Sequence, residues 1–145
     1  MKIISVESKE EKMKDFKAKD IMTRPVVSAR KNASARDIAM QILSGLYSGM
    51  PVTDENGNVV GVVTEFDLLG QVFEGRELVK LTASDVMTKT PITVDVNTSL
   101  KDLLKTMMEN NIVRLPVTEE GRLVGIIARC DILRAFIEPE FVTYM

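Results

Sequence analysis

A chain of 145 residues with 45% hydrophobic and 28% charged residues has the composition of a soluble globular protein. Its net charge of -2 offers no basic field for nucleic acid or an anionic membrane. With no histidine and one cysteine, the chain lacks the residues for Ser-His-Asp or Cys-His catalysis and for an intrachain disulfide. No apolar run approaches the roughly 20 residues of a membrane helix, and Met1 to Lys12 lacks the apolar core of a signal peptide. These features predict a cytoplasmic protein with no catalytic and no metal site.

In chain order, the sequence begins with a charged extension, residues 1–16, before the first predicted element. The β-branched run Val26–Ser28 predicts a strand. Ser34 and Asp37 have the spacing of a capping box, which indicates the start of a helix. Apolar residues at helical spacing then predict one buried face, formed by Ile38, Ile42, Leu43 and Leu46.

A hairpin and a second helix follow. Met50–Thr53 and Val59–Thr64 are apolar runs on either side of Asn56-Gly57, a pair of residue types that tolerates positive φ in a tight turn. The second helix is predicted from Glu65 to about Phe73, where a polar linker follows.

The second half of the chain repeats this order of elements. A strand, a helix that starts with the capping pair Ser99 and Asp102, a hairpin and a last helix are predicted in turn. Their bounds are Ile92–Val94 for the strand, Leu115–Thr118 and Leu123–Ala128 around the turn Glu120-Gly121, and Arg129 to about Ile137 for the last helix. The first of these helices is predicted to bury Leu103, Leu104, Met107 and Met108.

The two halves form an internal repeat. DIMTRPVVSARKNASARDIA aligns with DVMTKTPITVDVNTSLKDLL, and MPVTDENGNVVGVVTEFDLL aligns with LPVTEEGRLVGIIARCDIL. About 15 of roughly 49 aligned positions are identical, which indicates a duplication. Because a unit of about 60 residues buries little surface alone, we predict an α/β (α+β) fold of two tandem β-α-β-β-α repeats packed about a pseudo-two-fold axis. Repeat 1 is predicted at 17–74, a linker at 75–81, repeat 2 at 82–138 and a tail at 139–145.

The segment from Gly61 to Asp67 lies where a strand ends and a helix begins, and the first N–H groups of a helix form an anion site. There the Thr64 hydroxyl can hydrogen-bond ribose or phosphate, and the Asp67 carboxylate can accept from both ribose hydroxyls. The same T-x-x-D spacing is also a capping box that serves only the helix. In the second repeat Asp131 remains while Ala128 replaces the threonine, so both interpretations stay open.

These residues together resemble the CBS domain pair, also called a Bateman module. The resemblance covers Asp20 to about Phe136 and is carried by Asp-Val-Met-Thr, Leu-Pro-Val-Thr and Gly-Val-Val-Thr-Glu-Phe-Asp, in an order that occurs twice. It implies a regulatory ligand of the adenosine type: AMP, ADP, ATP or S-adenosylmethionine. It also implies a homodimer in which two pairs form a flat disc of four repeats.

The resemblance implies composite clefts, in which one repeat holds ribose and phosphate while the other encloses adenine. Carried over by position, the first cleft comprises Thr64, Asp67, Pro91, Ile92, Thr93, Ile112, Val113 and Arg114. The second comprises Val27, Ser28, Tyr47, Ser48 and Asp131. The second cleft lacks a hydroxyl at Ala128 and a guanidinium at Gly49, which predicts that it is the weaker of the two.

Two functions follow from this sequence. The first is a ligand sensor that controls an unknown effector protein in trans, since no effector domain accompanies the repeats. The alternative is a ligand-independent dimerisation scaffold in which both aspartates are caps. Apolar residues on the last helix of each repeat predict the dimer surface, and these are Leu68, Leu69, Val72, Phe73, Ile132, Leu133 and Phe136.

Overall fold

The hairpin of each repeat forms part of a three-stranded sheet. The structure is a computed structural model that describes residues 16–45 and 47–137. In the first sheet β1 pairs parallel to β2, which pairs antiparallel to β3, and the second sheet has the order β4-β5-β6 with β4 parallel to β5. The strands are β1 Ala29–Arg30, β2 Gly49–Thr53, β3 Val59–Thr64, β4 Val94–Asp95, β5 Arg114–Glu119 and β6 Arg122–Ala128.

The described residues also form six α-helices. Two of them are four-residue helices, one at the start of each repeat, and the other four are the longer predicted helices. The helices are α1 Ala18–Ile21, α2 Ala35–Gly45, α3 Glu65–Phe73, α4 Ala83–Val86, α5 Leu100–Asn110 and α6 Arg129–Ile137. A short 3-10 helix, Leu78–Lys80, lies between α3 and α4. The predicted mixed fold of two repeats is confirmed.

The hairpin turns adopt the backbone conformation that their residue types predict. Gly57 has a φ of 85°, while Glu120 and Gly121 have φ values of 53° and 83°. In the second turn, positive φ at two consecutive residues matches the right-handed twist of the strands that they join, whereas in the first turn Gly57 has positive φ and Asn56 does not. This local requirement explains why the hairpin strands and the helices α3 and α6 lie within one or two residues of their predicted bounds.

The chain divides into two compact units. The β1–β3 unit comprises residues 27–91 and 121–123, and the β4–β6 unit comprises residues 16–26, 92–120 and 124–137 among those described. Each unit therefore contains the short helix that leads the other repeat in the sequence. The α1 segment joins the β4–β6 unit, where the Ala18 N–H donates to the Thr98 carbonyl at 2.8 Å. The α4 segment joins the β1–β3 unit, where the Ala83 N–H donates to the Ala33 carbonyl at 2.8 Å.

Directly after α1 and directly after α4, a methionine packs against a glycine of the neighbouring sheet. In the β4–β6 unit Thr23 pairs with Ile126, and a Cβ at Gly125 would lie 2.8 Å from Cγ of Met22. In the β1–β3 unit Thr88 pairs with Val62, and a Cβ at Gly61 would meet Met87 in the same way. Each glycine is therefore required, because the residues that follow α1 or α4 lie directly on the sheet.

Burial corrects part of the predicted core. Ile38 and Ile42 are buried in α2, as Leu103 and Met107 are in α5. The helices bury a narrower stripe than predicted, because the buried positions follow the spacing i, i+3 and i+7, which are Ala35, Ile38 and Ile42 in α2 and Leu100, Leu103 and Met107 in α5. The predicted core residues that are exposed are Leu43, Leu104 and Met108, at 72%, 38% and 73%. Leu46 lies outside the described residues, as do residues 1–15 and 138–145.

The first strand of each repeat differs from its predicted position. Val26–Ser28 precedes β1 without overlap, and Ile92–Val94 shares only Val94 with β4. Each of these strands has two residues and pairs in parallel with the first strand of the hairpin, at Val52–Thr53 in the first sheet and at Val117–Thr118 in the second. A distant partner, and not local β-propensity, therefore sets the position of these strands.

Candidate ligand-binding site

The junction of β3 and α3 is a reciprocal cap. Thr64 is the N-cap residue, and its Oγ1 accepts the Asp67 N–H at 3.2 Å. In return, Oδ2 of Asp67 accepts the Thr64 N–H at 2.8 Å and the Thr64 hydroxyl at 3.0 Å. Both residues are half-buried, so the aspartate is held at the first turn of the helix.

This cap leaves one carboxylate oxygen of Asp67 for another donor. Among the described residues none donates to Oδ1 of Asp67, while Oδ2 accepts both Thr64 donors. The capping interpretation of T-x-x-D is therefore correct for Oδ2, and it does not exclude a ligand hydroxyl at Oδ1. The Thr64 hydroxyl, in contrast, already donates its hydrogen to Asp67.

The strand next to this junction brings its backbone close to the cap. The Glu65 N–H donates to the Ser48 carbonyl at 3.0 Å, and Gly49 pairs with Thr64. A Cβ at Gly49 would lie 2.6 Å from the Val63 carbonyl oxygen, so this position needs a glycine. Within the β1–β3 unit, Ser48 thus lies beside Thr64 and Asp67.

The junction of β6 and α6 keeps the same backbone contact without the hydroxyl. Oδ2 of Asp131 accepts the Ala128 N–H at 2.8 Å, the distance found for Asp67 and Thr64. Its Oδ1 lies 3.4 Å from Nη1 of Arg134. Asp131 is 9% exposed and is therefore the more deeply buried of the two aspartates. The loss of the cap threonine has not displaced the carboxylate.

A cavity of about 360 Å³ lies beside Asp131 in the β4–β6 unit. Residues 19–24 form most of its lining, and Asp131 and Arg134 of α6 complete it. These residues meet because α1 packs against α6. Sequence reasoning placed none of residues 19–24 in a site, although Met22 and Thr23 belong to the D-h-M-T motif that both repeats share.

The predicted site residues are distributed over both units. The β1–β3 unit contains Val27, Ser28, Tyr47, Ser48, Thr64, Asp67 and Pro91. The β4–β6 unit contains Ile92, Thr93, Ile112, Val113, Arg114 and Asp131. Three apolar members of the set are partly exposed: Val27 at 39%, Ile92 at 36% and Val113 at 44%. Each predicted cleft combines residues of the two units, so both clefts stay predictions.

The described residues also bear on metal binding, membrane insertion and carboxylate ionisation. In residues 16–45 and 47–137, no group of three or more Cys, Asp or Glu side chains is arranged to hold a metal ion. No helix in these ranges is both long and apolar enough to cross a membrane. The pKa of Asp85 lies below its usual value of 3.8, because its carboxylate accepts the backbone N–H and the hydroxyl of Thr82.

Comparison with known proteins gives consistent matches. The sequence model of the CBS domain matches residues 18–74 and 83–138. An uncharacterized protein of Methanocaldococcus jannaschii, MJ1404, is 33% identical over 91% of this chain, and the match spans 34% of that relative. The chain thus spans about a third of the length of this relative.

Two solved structures share both fold and sequence features. The crystal structure of CBSX2 of Arabidopsis thaliana in complex with AMP has a TM-score of 0.75 and 30% identity, and covers 86% of this chain and 98% of that one. The CBS domain pair of protein MJ0100, in complex with 5'-methylthioadenosine and S-adenosyl-L-methionine, has a TM-score of 0.73 and 28% identity. That match covers 83% of this chain and 95% of the other.

Proposed function

Because the chain belongs to the CBS domain family and contains two of its repeats, we propose that it is a regulatory module that binds an adenosine-type ligand and controls a partner protein in trans. AMP, ADP, ATP and S-adenosylmethionine are the candidate ligands, and no catalytic role is proposed. Support comes from the similar proteins whose crystal structures contain AMP, or 5'-methylthioadenosine and S-adenosyl-L-methionine.

The observation on this chain that carries the proposal is the repeated carboxylate at a strand-to-helix junction. Asp67 and Asp131 are both held by a 2.8 Å hydrogen bond from the backbone three residues earlier. This bond fixes the carboxylate before any ligand binds, so little side-chain entropy is lost on binding. A fixed carboxylate is an acceptor-only group that suits the two hydroxyls of a ribose.

The predicted clefts would supply the remaining contacts. Apolar side chains such as Ile92 and Val113, or Val27 in the second cleft, would cover the faces of adenine. Arg114 would reach a phosphate of the ligand in the first cleft. The ribose, adenine and phosphate would thus each meet a group of matching chemistry.

Thermal unfolding tests this function. A ligand at 100 times its dissociation constant stabilises the folded chain by about 2.7 kcal/mol. For a chain of this size we expect Tm to rise by roughly 5–10 °C. Asp67→Ala and Asp131→Ala should together abolish the rise.

A matched control separates ligand binding from helix capping. Ser99 caps α5 through a hydrogen bond from the Asp102 N–H at 3.2 Å. Neither residue belongs to the predicted ligand-binding residues. Ser99→Ala should lower stability by about 1 kcal/mol, as loss of an N-cap does, and leave the ligand-induced rise intact. An unchanged Tm of the wild-type chain with all four ligands at millimolar concentration would contradict the function.

A homodimer is the second candidate feature, and exposed apolar residues on α3 and α6 favour it. Phe66 and Phe73 are 85% and 91% exposed on α3, and Leu133 is 59% exposed on α6. Leu68 and Ile132, which were predicted in this surface, are instead buried at 6% and 5% because they face the cores of their units. Exposed aromatic side chains on a helix usually mark an interface, and we propose a second copy of the chain as the occupant.

A further inference from the structure

The cavity beside Asp131 differs in charge from the matching surface of the other unit. Its lining contains three cationic side chains and two carboxylates, which are Lys19, Arg24 and Arg134 with Asp20 and Asp131. In the repeat alignment, the same five positions contain one cationic side chain and two carboxylates, which are Lys89 with Asp85 and Asp67, and the uncharged Ser84 and Gly70. The cavity thus has a net positive charge, and its counterpart has a net negative charge.

These positions match in three dimensions as well as in the alignment. Thr23 pairs with Ile126 in one unit, and Thr88 pairs with Val62 at the same register in the other. The two aspartates accept the same backbone hydrogen bond at the same distance, 2.8 Å. The units therefore differ here in the chemistry of the side chains and not in the backbone that positions them.

Arg134 accounts for much of the difference in charge between the cavity and its counterpart. Its Nη1 lies 3.4 Å from Oδ1 of Asp131, and its side chain is 33% exposed. The ion pair offsets the charge of the buried carboxylate and holds the guanidinium at the cavity wall. Oδ2 of Asp20 accepts the Lys17 N–H at 2.8 Å, which caps α1 and leaves the negative charge of Asp20 in place. Because Arg134 pairs with Asp131, the positive charges of Lys19 and Arg24 are opposed in the lining by Asp20 alone.

We propose that this cavity selects a phosphorylated adenosine ligand against an uncharged or cationic one, and that Arg134 is a specificity-determining residue. This inference rests on the proposed function. A phosphate chain is attracted by each cation of a partly enclosed cavity, whereas the sulfonium of S-adenosylmethionine is repelled. The proposal concerns the selectivity of this cavity, since the sequence also assigns the guanidinium of Arg114 to the first cleft.

Substitutions in both units test the inference by calorimetry on the full chain. Arg134→Gln removes the charge, and Arg134→Lys keeps it. Arg36→Gln is the matched control, because Arg36 is an exposed helical arginine outside the cavity. The probes are ATP, which carries a phosphate chain, and 5'-methylthioadenosine, which has the same adenosine part and no phosphate.

The reciprocal change is made at Gly70 of α3. Gly70 is exposed and a Cβ there has no neighbouring atom within 4 Å, so a side chain can be added at this position. Gly70→Arg should create an ATP preference in the β1–β3 unit. Gly70→Gln is its control, since it has the same effect on the helix without the charge.

We expect Arg134→Gln to weaken ATP binding about tenfold or more, the usual effect of losing a contact with a charged group. The affinity for 5'-methylthioadenosine should change less than twofold, and Arg134→Lys should restore much of the ATP affinity. Equal losses for both probes, or no loss for ATP, would overturn the inference while the proposed function stands. A wild-type chain that binds neither probe would overturn both.

Discussion

Gly125→Ala tests whether the α1 segment lies on the second sheet. A Cβ at Gly125 would lie 2.8 Å from Cγ and 3.0 Å from Cβ of Met22, and would also collide with its sulfur. Real Cβ atoms do not approach other atoms so closely, so either Met22 or the strand must move. Because residues 19–24 line the cavity, such a movement would also disturb the candidate site.

The size of the effect follows from the contact atoms. Overpacking a buried position by one methyl group costs about 1–3 kcal/mol. For a chain of this length the loss corresponds to a decrease in Tm of roughly 2–12 °C. Gly61→Ala should cost more, because the carbonyl oxygen of Thr88 also lies 2.8 Å from the new Cβ and a backbone group cannot rotate away.

A double-mutant cycle measured by thermal or urea unfolding checks this reasoning. Met22→Ala should remove most of the cost of Gly125→Ala, so the two changes should couple by about 0.5–3 kcal/mol. Met87→Ala should rescue Gly61→Ala less completely, because Thr88 remains. Gly70→Ala is the control and should stabilise by up to about 1 kcal/mol, since α3 offers open space there. If Gly125→Ala proves as harmless as Gly70→Ala, the packing of α1 on this sheet is wrong.

Three further predictions concern single interactions. The pKa of Asp85 is lowered because Thr82 donates to its carboxylate. The stabilisation of the folded chain by this interaction is therefore complete above the unfolded pKa of 3.8, and it is lost as the pH falls through the lower folded pKa. Asp85→Asn should flatten the acid limb of a circular-dichroism titration between pH 5 and 2, and an unchanged limb would refute this. Ala128→Thr should add the cap hydroxyl that Asp131 lacks and raise the free energy of unfolding by about 0.5–2 kcal/mol in urea. An unchanged free energy of unfolding would contradict this cap. At tens of micromolar protein, light scattering should report a dimer for the wild-type chain and a monomer for Phe73→Ser. A wild-type chain that is a monomer at this concentration would contradict the proposed dimer.

The sequence predicted the fold wherever the signal is local. Strand β3 and the start of α3 agree with the predicted bounds, because the Asn56-Gly57 turn and the Thr64–Asp67 cap lie within the same stretch of chain. The two-residue strands β1 and β4 were misplaced, since their positions depend on a partner more than 20 residues away. The short helix α4 was not predicted, although Thr82 and Asp85 show the same T-x-x-D spacing that marked α3.

The candidate site shows the same division between local motifs, which could be predicted, and contacts between residues distant in sequence, which could not. Asp67 and Asp131 could be found because each belongs to a local motif, and the structure holds both in the same way. The cations of the cavity could not, because α1 leads one repeat in the sequence and packs in the unit that contains the other repeat's sheet. The sequence therefore ranked the two sites by the groups predicted around each aspartate, which are the Thr64 hydroxyl and the Arg114 guanidinium in one cleft against Ala128 and Gly49 in the other. The structure shows that the Thr64 hydroxyl already donates to Asp67, so its advantage for a ligand is smaller than the sequence suggests. Arg134 in place of Gly70 is a further chemical difference between the repeats, which the ranking from sequence did not include, and the selectivity of the cavity for phosphate should follow it.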